Sequence, residues 1–265
     1  RRFISFECRL KKFTSLIKKL QAHFSKSSPI KRMKKNKIKA VFFDAGGTLF
    51  RPFPSVGQIY ARTALAYGVK CDPHLLEAAF YMAWKKRGGL ASLGTETSEE
   101  KERSWWYSLV QEVFEGHGGI PEFDTFFHVL HRSFEDKELW EIFPEVPEVL
   151  RELKSRNLIL GVVSNWDLRL AKLLVNLGLH SHFDFFVSSS LCGAAKPEAK
   201  IFKEALALAK VKPEETLHVG DTYEEDFVGA KAVGMNALLI DREQNGRSVP
   251  KELRISSLKE ILGRI

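Results

Sequence analysis

Two kinds of hydrophobic pattern alternate along this chain. Short continuous apolar runs occur at "KAVFFDA" (39–45), "LILGVVSN" (158–165), "FDFFVSS" (183–189), "TLHVGD" (216–221) and "NALLID" (236–241). Runs of this length, closed by polar or turn residues, predict strands buried on both faces. Amphipathic segments fill the intervals: "VPEVLRELKSRN", "LRLAKLLVNLG", "KPEAKIFKEALALAK", "EDFVGAKAVG" and a closing "SSLKEILGRI". Strand and helix in strict alternation predict an α/β fold, a Rossmann-like parallel sheet with helices on both faces.

Between about Pro54 and Trp140 the pattern is helical throughout, with no clear strand. "SVGQIYARTALAYG", "PHLLEAAFYMAWKKRG" and "SEEKERSWWYSLVQEVFEGHG" carry it, and "ETSEE" supplies a helix start at Ser98 or Thr97. The expected organisation is an α/β core formed by 38–53 and 141–265, interrupted after its first strand by an all-helical block, 54–140.

Residues 1–37 differ from everything that follows. Phe3, Phe6, Leu10, Phe13, Ile17, Leu20 and Phe24 recur at helical spacing with lysines between them. This basic extension reads as an amphipathic helix for a membrane surface or a partner, as a transit peptide, or as sequence foreign to the protein proper, which then begins near Met33. It holds 13 Lys/Arg and one acid, against 28 Lys/Arg and 32 Asp/Glu in the rest, so the net charge of +8 belongs to the extension. The remainder is mildly acidic, which removes the main reason to expect nucleic acid as a partner. No segment has the ~18 consecutive apolar residues of a membrane span, so no stable membrane insertion is expected. Cys8, Cys71 and Cys192 are scattered, with no metal-type spacing and no disulfide framework, which points to a reducing, cytoplasmic setting. Oligomeric state is not legible.

Candidate chemistry collects at strand ends. In an open parallel sheet, ligands bind outside the carboxyl ends of the strands. There the first strand ends in "FFDAGGT", the second in "VVSN", another in "HVGDTYEED", and "AAKP" opens a helix. Asp44, Ser164, Asn165, Lys196, Asp221 and Asp226 are therefore expected at one edge. Taken singly, each has an ordinary explanation as a cap or a turn. Clustered carboxylates repel each other unless a cation sits among them, and oxygen ligands of this type suit Mg²⁺. Backbone N–H groups at Gly46 and Gly47, with Ser164 and Asn165, offer donors to an anion. A carboxylate beside a lysine and anion donors is equipped for phosphoryl transfer through an aspartyl-phosphate.

These four segments, in this order, resemble the haloacid dehalogenase superfamily of hydrolases. "DAGGTL" with Asp44 and Thr48, "VVSN" with Ser164, "KP" with Lys196, and "GDTYEED" with Asp221 and Asp226 match its four motifs across 38 to about 262. The resemblance implies a cap domain at 54–140, and "RSWWYSL" and "SNWD" are similar to uncharacterised phosphatase-like members. It implies Asp44 as nucleophile and Mg²⁺ ligand, Gly46 lending its carbonyl to the metal, and Thr48 orienting the loop. Gly47, Ser164, Asn165 and Lys196 would bind the phosphoryl group of a small phosphorylated substrate. Asp221 would bind the metal, with Asp226 supporting it.

The pattern departs from the family at Gly46, where its phosphatases carry a second Asp that protonates the leaving group, assistance typically worth ~10²–10⁴-fold. Three readings stay open: a phosphatase using another acid or a leaving group that needs none, such as an acyl phosphate; a 2-haloacid dehalogenase, whose halide leaves unprotonated; and a catalytically weak phosphate- or partner-binding module. Glu224 or Asp167 would be the substitute acid. Arg51, Arg169 and Glu225 lie near the motifs. Trp105 and Trp106 are expected to pack the helical block, one of them lining the cleft. His117, His128 and His131 are expected in surface or core roles, and His218 as a core histidine.

Overall fold

The computed structural model describes residues 37–243 and 249–265. The basic extension and its helical pattern lie outside the described residues, as does Cys8. Strand β1 (Ala40–Phe43) is wholly buried. β2 (Phe50–Pro52) follows, then helices α1 (Val56–Ala66), α2 (Pro73–Arg87), α3 (Glu99–Glu115) and α4 (Phe123–Ser133). β3 (Trp140–Ile142) returns the chain to α5 (Val146–Ser155), β4 (Ile159–Ser164), α6 (Arg169–Asn176) and β5 (Phe185–Ser188). α7 (Ala199–Ala209), β6 (Thr216–Gly220), β7 (Asn236–Ile240) and β8 (Arg254–Ile255) complete it.

Six strands pair in parallel in the order β5-β4-β1-β6-β7-β8. The pleat divides the apolar residues between two layers. Val41, Phe43, Leu160, Val162, Leu217 and Val219 pack against α5, α6 and the C-terminal turn Leu258–Gly263. Ala40, Phe42, Val163 and Val187 pack against α7. The expected α/β sheet is present. β1 is central, and Phe43 pairs with Val162 on one side and Val219 on the other. The residues just beyond these strands therefore share one edge.

The helical block builds its own core from Ile59, Tyr60, Leu76, Phe80, Leu109, Phe114, Phe126 and Phe127. α1, α2 and α3 start on side-chain caps: Ser55 accepts from Gln58 N–H, Asp72 from His74 N–H beside Pro73, and Ser98 from Lys101 N–H, whereas α4 has none. Ser98, not Thr97, is thus the α3 cap, and Glu99, Glu100 and Glu102 occupy the first turn, where the helix dipole favours acids.

Several details differ from the sequence reading, among them β8, which no apolar run signals. β2 and β3 pair antiparallel, Arg51 opposite Glu141, at the point where the chain leaves the sheet and returns. Segment 225–234 is a π-turn, Tyr223–Val228, followed by one helical turn, and the closing segment is a 3₁₀ turn. No helix among the described residues is long and apolar enough to cross a membrane.

Candidate active site

Asp44 follows the last residue of β1, and its N–H donates to Val219 C=O at 2.9 Å. Its carboxylate is almost fully buried. Oδ1 accepts from Ser164 Oγ at 2.9 Å and from Lys196 Nζ at 2.6 Å. The same ammonium donates to Asp226 Oδ1 at 2.5 Å. Asp226 also contacts His218 Nε2 at 2.9 Å and accepts from Thr222 N–H at 3.0 Å. Oxygens of Asp44, Asp221 and Asp226 lie within 4.8 Å of one another. Residues 120 to 182 positions beyond Asp44 in sequence are thus assembled with it at the edge where the sheet's central strands end.

The electrostatics separate the three carboxylates. Burial, set against Lys196 and added to by Asp226, holds Asp44 above the usual carboxylate range. Burial, reinforced by Asp44 and Asp226, holds Asp221 well above it. Burial also acts on Asp226, but Lys196 and His218 overcome it and hold that carboxyl low. Burial pulls the Lys196 ammonium down, while Asp226 and Asp44 more than offset it. Asp226 and Lys196 therefore form the ionised pair, and Asp44 and Asp221 carry repulsion that a cation relieves.

The loop after Asp44 is shaped by its glycines. Gly47 has φ +75°, and a Cβ there would stand 2.5 Å from Asp221 Oδ2, so only glycine admits that carboxylate. A Cβ on Gly46 would meet the Trp166 ring at 3.2 Å. Trp166 follows β4, donates its N–H to Ser189 Oγ at 2.9 Å, and packs against Phe50 and Trp140 with centroids 5.9 and 5.4 Å away. Arg242 grips the loop from outside, donating to Thr48 C=O at 2.7 Å while paired with Glu145 and lying over the Phe143 ring. Thr48 Oγ1 is buried with no hydrogen-bond partner, so its hydroxyl does not orient the loop by such a bond. That work falls to Ala45 C=O, which accepts from Leu49 N–H at 2.8 Å.

Asn165 braces a neighbouring loop. Its Oδ1 accepts from Lys196 N–H at 2.6 Å, and its Nδ2 donates to Lys196 C=O and to Glu225 Oε2. Its amide thereby positions Lys196. Glu225 lines the cavity, and burial, opposed by Lys196, pushes its carboxyl up to about 7. Of the two substitute acids named from sequence, Asp167 is bound by Arg169 through both oxygens, and Glu224 is exposed.

A cavity of about 960 Å³ opens from Asp44 toward the helical block. Trp106 lines it, whereas Trp105 is buried with its Nε1 on Ser92 Oγ. Arg51 is tied to Glu141 at the cavity wall. His131 is buried beside the cavity with Nε2 3.7 Å from Asp167; burial and then Arg169 push it down to about 3, so it is neutral at pH 7. His128 is exposed and His117 contacts Val113 C=O. His218 is more than a packed core residue, because it fixes Asp226. Arg242 escaped the sequence reading, and Trp166 entered it only within "SNWD", since only packing distinguishes them from other loop residues.

A parallel α/β sheet with a buried aspartate after its central strand, backed by lysine, serine and two further aspartates, defines a hydrolase-type site. The chain belongs to the haloacid dehalogenase-like hydrolases, whose family model matches residues 38–234. It is 34% identical over 233 residues to the Homo sapiens haloacid dehalogenase-like hydrolase domain-containing protein 3, covering 85% of this chain and 92% of that one. A glyceraldehyde 3-phosphate phosphatase from Methanothermobacter thermautotrophicus is 33% identical over 185 residues, 59% of this chain and 81% of that one. Among solved structures, a HAD phosphatase from Thermococcus onnurineus matches at 23% identity and TM-score 0.62, over 86% of this chain and 97% of that one. A dehalogenase matches at 21% and 0.69, over 88% and 99%. At these identities the structural likeness concerns the fold alone.

Proposed function

We propose that the chain is a Mg²⁺-dependent phosphatase that passes the phosphoryl group of a small phosphorylated substrate to Asp44 and then to water. The observation that carries this reading is the Asp44 carboxylate, pinned by Ser164 and Lys196 within a cluster of three acids. The hard oxygen donors fit Mg²⁺. Asp226 is occupied by Lys196, His218 and Thr222, so Asp44 and Asp221, with the Gly46 carbonyl, would hold the ion while Asp226 backs them. When bound, Mg²⁺ offsets the charge of the phosphoryl group.

A carboxylate oxygen of Asp44 attacks phosphorus, and the bond to the leaving oxygen breaks with its electron pair. Ser164, Lys196 and the N–H group at Gly46 receive the phosphoryl oxygens; the Gly47 N–H, expected from sequence to share that task, is instead given to Phe50 C=O at 2.8 Å. Water then attacks phosphorus, frees Asp44, and leaves with both its protons on the released phosphate. In this reading block 54–140 acts as a cap whose cavity chooses the substrate, and the enzyme works in the cytoplasm, where the free thiols Cys71 and Cys192 stay reduced.

Gly46 favours a second reading, a 2-haloacid dehalogenase, because a halide leaves without a proton; the acidic cluster weighs against it. The test is a panel of p-nitrophenyl phosphate, acetyl phosphate and 2-chloropropionate, with and without Mg²⁺, beside Asp44→Asn. Magnesium-dependent phosphate release lost in the variant supports the phosphatase. Chloride release without metal supports the dehalogenase. Neither, with phosphate still bound, supports a binding module.

A further inference from the structure

The side chain that a general acid at position 46 would need is crowded by an aromatic ring. Trp166 lies 3.2 Å from where a Cβ on Gly46 would be, and it is wedged against Phe50 and Trp140. An aspartate there requires the indole to move, and the indole has little room. The ring is also part of a wall. With Trp140, Tyr60, Phe80, Trp106 and Phe127 it lines the cavity that contains Asp44. At about 960 Å³ that cavity stands near the top of the ~300–1,000 Å³ range of small-molecule pockets, far more than a phosphoryl group on a short polar chain fills. Aromatic walls favour flat apolar bodies that stack or meet them edge to face.

Resting on the phosphatase reading, we propose that the leaving group is an aromatic hydroxyl, so that the substrate is an aryl or heteroaryl phosphate monoester. The two observations, a position 46 without an acid and an aromatic-walled cavity, agree. A phenol ionises near pKa ~10, whereas an alcohol resembles water at ~15.7, so a phenolate departs without a donor and an alkoxide does not. In the first step Asp44 bonds to phosphorus, the phosphorus–aryl oxygen bond breaks, and the electron pair leaves as phenolate. Water hydrolyses the aspartyl-phosphate, and the phenolate takes its proton from the released dihydrogen phosphate. The sum is one aryl phosphate and one water in, one phenol and one hydrogen phosphate out.

The experiment is kcat/KM with Mg²⁺ for ring-substituted phenyl phosphates, 2-naphthyl phosphate, butyl phosphate and acetyl phosphate. The proteins are wild type, Asp44→Asn, Glu225→Gln and the double variant Gly46→Asp/Trp166→Ala. General-acid assistance typically contributes ~10²–10⁴-fold, so wild type is expected to favour phenyl over butyl phosphate by about 10³-fold, with rates rising steeply as the leaving phenol becomes more acidic. Naphthyl phosphate should show a lower KM than phenyl phosphate. The double variant should hydrolyse butyl phosphate at least about tenfold faster than wild type, because a carboxyl then has both place and room. Butyl phosphate within tenfold of phenyl phosphate overturns the proposal and leaves the phosphatase reading intact. So does a rate indifferent to leaving-group acidity that falls in Glu225→Gln, since a proton is then being supplied. Turnover of acetyl phosphate alone does the same. Absence of turnover on every phosphate overturns both.

Discussion

The Lys196 ammonium stands 2.5 Å from Asp226 Oδ1, and neither side chain is more than 1% exposed. That contact, with the one to Asp44 at 2.6 Å, makes the lysine the counterion of two buried carboxylates. Removing one partner of a buried pair typically costs ~3–5 kcal/mol, because the charge left behind has no water. Lys196→Met is therefore expected to lose about that much stability as well as activity. Part of it should return in Lys196→Met/Asp226→Asn, which removes the orphaned charge. Urea denaturation reads both, and a single variant as stable as wild type would contradict the pairing.

Asp44 and Asp221 repel each other across a site whose third acid is already committed. A divalent cation that binds only the folded chain should stabilise it, by ~2.7 kcal/mol when present at a hundredfold excess over its Kd. At ~2–4 °C per kcal/mol for a chain of this size, Mg²⁺ is expected to raise Tm by about 5–10 °C. A chelator should reverse the shift, and Asp221→Asn should abolish it. A shift that survives in Asp221→Asn would place the ion elsewhere.

How legible this was differs by element. β1, β4 and β6 are continuous apolar runs with a polar stop, and the stop is a candidate site residue, so fold and candidate site were read from one local signal. Asp44, Ser164 and Asp221 fell at the expected edge for that reason, whereas Lys196, in the loop before α7, and Asp226, in the turn after β6, were placed there by the order of the motifs. β2 and β3 were invisible because three-residue strands containing Arg51, Pro52 and Glu141 have no periodicity to detect. Trp166 over Gly46, Arg242 on the Thr48 carbonyl and Asn165 on Lys196 are relations between residues 31 to 194 positions apart. Nothing in the neighbouring sequence encodes them. The same holds for Asp167, which sits beside the motif serine yet is spent on Arg169.

That last pair joins the α/β core to the helical block. Arg169 binds both Asp167 oxygens and also donates to the His131 carbonyl in α4. Asp167 is buried and Arg169 only slightly exposed, so Asp167→Ala should destabilise the chain by about 3 kcal/mol. It should raise KM more than it lowers kcat, since Asp44 is not involved. Glu224→Ala, at an exposed carboxyl, should leave both unchanged. A large kcat loss with unaltered KM in Asp167→Ala would return that residue to the role of acid.

Glu102 makes a second link between block and core, and this one responds to pH. It is buried in the first turn of α3, accepting from Thr97 Oγ1 at 3.0 Å and from Ser189 Oγ at 2.5 Å. Burial, only partly opposed by those two hydroxyls, pushes its carboxyl from 4.5 up to about 7. Between these values the folded chain keeps a proton that the unfolded chain has released. Stability therefore falls as pH rises through the window, by roughly 3 kcal/mol once above pH 7. Glu102→Gln keeps the shape and hydrogen-bonding capacity without the ionisation. It should match wild type near pH 4.5 and exceed it by up to about 3 kcal/mol at pH 8. Urea midpoints at the two pH values separate this from a packing effect, which would shift the variant equally at both. A wild-type minus variant difference that does not change with pH would mean that the Glu102 carboxyl titrates alike in the folded and unfolded chains. The hydroxyls of Thr97 and Ser189 would then suffice to hold it as a carboxylate in the folded chain.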